Sequence, residues 1–64
     1  MYYEVVSRLI YERGMTIAEV ERKAELGNGL ISKWKTLKPK IGNLEKVAKV
    51  LGVSVVDIVK ECEG

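Results

Sequence analysis

The sequence predicts a small all-α domain, a compact bundle of five short helices, and three observations predict it. Apolar residues recur at helical spacing, and no stretch of useful length alternates strictly between apolar and polar. Two helix starts carry capping chemistry, Thr16 with Glu19 and Ser54 with Asp57, a hydroxyl followed three residues later by an acid. Glycines at positions 14, 27, 29 and 52 punctuate the pattern at intervals that allow only short helices.

The first helix is expected from about Tyr2 to Arg13, with Val6, Leu9 and Ile10 on one face and Gly14 ending it in a left-handed cap. The second begins at Thr16 and turns Ile17, Val20 and Ala24 inward. The run Leu26-Gly27-Asn28-Gly29 interrupts it, because two glycines penalise a continuous helix. A short third helix is expected from Asn28, as N-cap, to about Lys35, with Ile31 and Trp34 facing in. Thr36 to Gly42, with Pro39, reads as a loop. The fourth helix is placed from Asn43 to Leu51, with Leu44, Val47, Ala48 and Leu51 on its apolar stripe and Gly52 closing it. The fifth runs from Ser54 to about Lys60. Helices this short are not stable singly, so they must share one core, to which Val6, Leu9, Val20, Ile31, Trp34, Val47 and Leu51 contribute.

Sixty-four residues make one expected domain, 1–64, too small for a deep catalytic cleft. The single cysteine, Cys62, rules out a disulfide framework and reads as an exposed tail thiol in a reducing compartment. No apolar run is long enough to span a membrane, and the N-terminus lacks a signal-peptide pattern, so a cytoplasmic protein is expected. With no histidine, one aspartate and one cysteine, the usual metal-ligand sets cannot be assembled. No phosphate loop or nucleophile motif is present. The expectation is no enzyme, no cofactor, no metal and no small-molecule substrate.

The charge is unevenly placed. The chain carries +2, yet Leu26 to Leu44 holds Lys33, Lys35, Lys38 and Lys40 and no acid, which leaves the remainder at −2. From charge alone such a stretch reads either as a solvated loop or as a polyanion-binding face. Its position suits the second, since two short helices joined by a tight turn form the helix-turn-helix, whose second helix enters the major groove, although many helical hairpins are only structural.

Three blocks sharpen this: Met15-Thr-Ile-Ala-Glu-Val-Glu-Arg-Lys-Ala24, Gly27-Asn-Gly-Leu-Ile-Ser-Lys-Trp34, and Asn43-Leu-Glu-Lys-Val-Ala-Lys-Val-Leu-Gly-Val-Ser54. Together they resemble the phage lambda repressor and Cro family of helix-turn-helix domains, over roughly Val6 to Val59. The resemblance implies a lambda-repressor-like fold with its helix-turn-helix at about 16–35. It also implies sequence-specific binding of double-stranded DNA by a transcriptional regulator, a repressor of phage or mobile-element type. By the same resemblance Asn28, Gly29 and Lys33 face base edges, flanked by Leu30 and Ser32. Lys33 suits guanine, Asn28 an adenine edge when it is not occupied as a cap, and Leu30 a thymine methyl. Thr16 matches a phosphate-binding position, and Lys35, Thr36, Lys38 and Lys40 lie in the loop that follows the backbone. Dimerisation through the fifth helix, with Val56 and Val59 as its surplus apolar residues, would suit a pseudo-palindromic operator.

The chain departs from that family at three places. Glu25 stands where glycine is usual in the turn, so a different turn geometry is expected. Ile17 stands where a glutamine often opens the second helix. Ile10 and Lys35 replace a common arginine–glutamate pair, and Lys35 is expected to lay its stem over Ile10 and send its amine to a phosphate. Trp34 reads as core, Tyr2, Tyr3 and Tyr11 as partial core, and Glu19, Glu21 and Glu25 as a solvated face plus a cap. A protein-interaction module on the same fold, an anti-repressor or antitoxin-like partner, is the competing reading, because Gly29 and Leu30 are poor base readers.

Overall fold

The computed structural model describes residues 1–63. Four α-helices and one 3₁₀ helix follow in order: α1 (Tyr2–Glu12), α2 (Ile17–Lys23), the 3₁₀ helix (Ile31–Lys35), α3 (Ile41–Leu51) and α4 (Val55–Glu63). There is no strand among the described residues. α1 is the hub, packing on the 3₁₀ helix, α4 and α2, while α3 packs on α2 and α4.

The inward positions of every helix meet in one cluster. Val6, Val20, Ile31 and Val47 are fully buried, and Ile10, Trp34, Leu44, Leu51 and Ile58 nearly so. Each such side chain contributes about 1.5–3 kcal/mol by leaving water. Leu9 is only half-buried at the edge of the cluster, and Tyr2 joins it as a buried member. Of the other tyrosines, Tyr3 is half-buried, whereas Tyr11 is exposed and not part of the core. Cys62 is half-buried against the core, not an exposed tail thiol, and burial pushes its thiol pKa up.

The helix ends follow a common pattern. At the end of α1, Met15 N–H donates to the Ile10 carbonyl and Gly14 N–H to that of Tyr11, with Gly14 left-handed at φ 68°. At the end of α3, Val53 N–H reaches Ala48 and Gly52 N–H reaches Lys49, with Gly52 at φ 72°. These paired bonds are the Schellman arrangement, which satisfies carbonyls a helix end leaves free. Arg13 ties the two ends together: its Nε donates to the Leu51 carbonyl at 2.6 Å and its Nη1 to that of Leu9 at 3.2 Å.

Two expected helix starts are corrected. α3 begins at Ile41 with Lys40 as N-cap, not at Asn43, and no side chain caps it. Gly42 sits in its first turn, where the N–H groups have no helical partner and the usual glycine penalty is small. The third helix begins at Ile31, not after Asn28, because Gly29 at φ 87° lies outside the helical region.

Candidate nucleic-acid interface

α2 is set at its start by its N-cap, Thr16, and its third residue, Glu19. Thr16 Oγ1 accepts from Glu19 N–H at 3.1 Å, and Glu19 Oε1 accepts from Thr16 N–H at 3.0 Å, the reciprocal capping box. Thr16 remains exposed, with its hydroxyl acting here as an acceptor.

Its end is the turn of the motif. Leu26 N–H donates to the Glu21 carbonyl at 2.8 Å and Glu25 N–H to that of Arg22 at 3.1 Å, the same arrangement that ends α1 and α3. The left-handed residue is Glu25, at φ 58°. The expectation that glutamate would change the turn is therefore corrected: the chain adopts the conformation glycine favours, with a side chain that pays a steric penalty for it.

Beyond the turn, Ile31 and Trp34 point into the core and fix which side of the 3₁₀ helix faces out. Asn28, Gly29, Ser32 and Lys33 are exposed, and Leu30 is half-buried. The five residues expected to face bases thus lie in one continuous segment, whose exposed members look away from the core. Ser32 Oγ donates to the Gly29 carbonyl at 3.0 Å, which braces the turn and leaves the hydroxyl oxygen open as an acceptor. Asn28 stands three residues ahead of the helix, so it is not its N-cap.

The capping role belongs to Glu21. This carboxylate is buried, 3% exposed, with Oε1 accepting from Gly29 N–H at 3.2 Å and Oε2 from Ile31 N–H at 2.9 Å. No buried side-chain nitrogen or oxygen among the described residues lacks a hydrogen-bond partner. The placement of Glu21 on a solvated face is corrected. The signal was legible: Ile17, Val20, Glu21 and Ala24 follow the i, i+3, i+4, i+7 spacing of an inward stripe, so Glu21 is an acid at a core position.

The lysines beside this segment are all exposed but differently engaged. Lys35 sets its ammonium 4.7 Å from the centre of the Tyr3 ring, a cation–π contact with an α1 residue. Lys38 Nζ pairs with Glu63 Oε2 at 2.9 Å, and Glu63 also accepts from the Tyr2 hydroxyl. That hydrogen bond, followed by burial and the Glu63 charge, pushes the Tyr2 pKa from its ordinary 10.0 up to about 12. The Tyr2 hydroxyl first and Lys38 second hold the Glu63 carboxyl below its ordinary value. Lys33 and Lys40 carry no ion pair among the described residues. Thr36 places its hydroxyl 3.4 Å from the Lys33 carbonyl.

Around Lys33 and Lys40 the surface dips into a shallow hollow of about 190 Å³, lined in part by Leu30, Leu37 and Asn43. Leu37 is 62% exposed and was not singled out by the sequence. On α4, Val56 is 60% exposed and Val59 half-buried. Val59 shares a hollow with Ile41, another exposed apolar side chain that sequence reasoning passed over. Among the described residues no set of three or more His, Cys, Asp or Glu side chains is placed to hold a metal, and no helix is long and apolar enough to cross a membrane.

Two short helices joined through a left-handed turn, the second presenting polar and basic side chains with no acid among them, define a helix-turn-helix domain suited to a polyanion. The sequence matches the Cro/C1-type HTH DNA-binding domain over residues 6–60, and the chain belongs to that family of DNA-binding domains. Neither the curated proteins nor the solved structures give a match to it.

Proposed function

We propose that this domain reads duplex DNA sequence-specifically as a transcriptional repressor of phage or mobile-element type, with the segment Asn28 to Lys33 in the major groove. The observation that carries the reading is the two-sidedness of that segment. Ile31 and Trp34 anchor it in the core, while Asn28, Gly29, Ser32 and Lys33 are exposed. A groove about 12 Å wide admits such a segment and offers it donors and acceptors. Lys33 donates to guanine O6 and N7, Asn28 pairs with an adenine edge, Ser32 accepts or donates at its neighbour, and Leu30 meets a thymine methyl. Gly29 allows close approach of the backbone. Thr16, Lys35, Thr36, Lys38 and Lys40 hold phosphates on either side. Lys35 exchanges the Tyr3 ring and Lys38 exchanges Glu63 for phosphate oxygens, both weak, solvent-screened surface contacts.

Two copies bind a pseudo-palindrome, pairing through Val56 and Val59 with Ile41 beside them. This sets the two reading segments about one DNA turn, ~34 Å, apart. The exposure of Val56 and Ile41 supports that pairing.

The experiment is selection of bound sites from random duplex DNA, repeated with Lys33→Ala. The wild type is expected to enrich one symmetric sequence. The variant should lose preference at one position per half-site, with a cost of about 1–3 kcal/mol. Weak binding without enrichment, together with tight capture of another protein through the Leu30 surface or α4, would support the interaction-module reading instead.

A further inference from the structure

We infer that Glu21 is a positioning residue for base reading, a buried carboxylate that locks the reading segment to α2. The inference rests on the DNA-reading role proposed above.

A buried carboxylate is costly to hold unless it is fully hydrogen-bonded. Glu21 meets that condition entirely through backbone donors, and both come from the segment that faces bases. Its two oxygens clasp Gly29 and Ile31 on either side of Leu30, while Gly29 in turn accepts from Ser32. Residues 29–32 are therefore held as one unit, referenced to a helix whose far end carries the Thr16–Glu19 cap. If Thr16 grips a phosphate, Glu21 sets the position of the reading segment relative to that grip. Groove reading depends on such registration, since phosphate contacts position the protein and base contacts specify the sequence.

The clasp acts on the ratio of specific to non-specific binding, not on affinity alone, because misplaced base readers lose base contacts while phosphate contacts remain.

The test uses the full chain with Glu21→Gln, close in shape but uncharged, whose amide presents a donor to one of the two backbone donors. Binding to the selected site and to an unrelated duplex is measured at one salt concentration and at a temperature where circular dichroism shows both proteins folded. The specific-to-non-specific ratio is expected to fall by about tenfold or more, the loss of one charge-assisted hydrogen bond. An unchanged ratio in a folded variant overturns the inference while leaving the DNA-reading role intact. A wild type that selects no sequence overturns both. Should the variant not fold, amide hydrogen exchange on the wild type without DNA decides. Gly29 and Ile31 protected alongside the core uphold the clasp, and exchange of both at open-chain rates overturns it.

Discussion

Replacing Glu25 with glycine is expected to stabilise the fold by about 0.5–1 kcal/mol. Three helices end in the same pair of backbone bonds, and the left-handed position is glycine in two of them, at φ 68° and 72°, and glutamate in the third, at φ 58°. A side chain in that conformation costs roughly 1–2 kcal/mol. Against this, glycine raises the entropy of the unfolded chain by roughly 0.5–1 kcal/mol, which leaves a net gain of about 0–1.5 kcal/mol, centred on the stated range. For a domain of this size the melting temperature should rise by about 3–8 °C. Urea denaturation followed by far-ultraviolet circular dichroism measures the change, with an unchanged m-value as the sign that only stability moved. Removing Glu25 also removes a charge near Lys23, Lys46 and Lys49, with which it lines a shallow cleft. Glu25→Ala separates the two causes, since alanine removes the charge but keeps the steric penalty. A glycine variant no more stable than wild type, or an alanine variant equally stabilised, would refute the reasoning.

Tyr2 supplies a pH prediction. Its pKa is about 12 in the folded chain against 10.0 ordinarily, so its contribution to stability is complete below pH 10 and is lost as pH rises towards 12. Ultraviolet titration should show a late tyrosinate component that Tyr2→Phe abolishes. Glu63 works in the opposite sense: its folded pKa is lowered, so its contribution is present above the ordinary carboxylate range and disappears as acidification passes through the folded value. Glu63→Gln should spare Lys38 its exchange of partners, raising affinity for all duplexes about evenly with little change in the log–log salt slope. Titrations across salt concentrations check this. Arg13→Ala removes donors to the Leu51 and Leu9 carbonyls and should cost about 1 kcal/mol in urea denaturation, without altering sequence preference.

The fold was legible where a residue's role is local. Thr16 and Ser54 cap their helices through hydroxyl oxygens that accept from Glu19 and Asp57 N–H, as the spacing foretold. Gly14 and Gly52 end theirs, and Ile31 and Trp34 point inward because their spacing leaves them no other face. The errors lie where tertiary contacts replace local chemistry. Asn43 looked like a helix start, but α3 starts two residues earlier, behind a buried Pro39 and with Leu44 N–H bonded to the Lys40 carbonyl. Asn28 looked like a cap, yet its task falls to Glu21, ten residues before the Ile31 amide it holds. The partners of Lys35 and Lys38 come from α1 and α4, and no spacing rule links those positions. The face of the candidate interface could be read from the sequence; of the devices that hold it, only Glu21 left a signal there, in its inward spacing.

The central claim is that residues 28–33 meet base edges in the major groove. Intermolecular nuclear Overhauser effects between labelled protein and a duplex carrying the selected site test it most directly. Contacts from Asn28, Leu30 and Lys33 side chains to major-groove protons, such as cytosine amino and thymine methyl groups, are the expected result. Contacts confined to sugars or minor-groove protons, or arising from α4 while residues 28–33 show none, would contradict it.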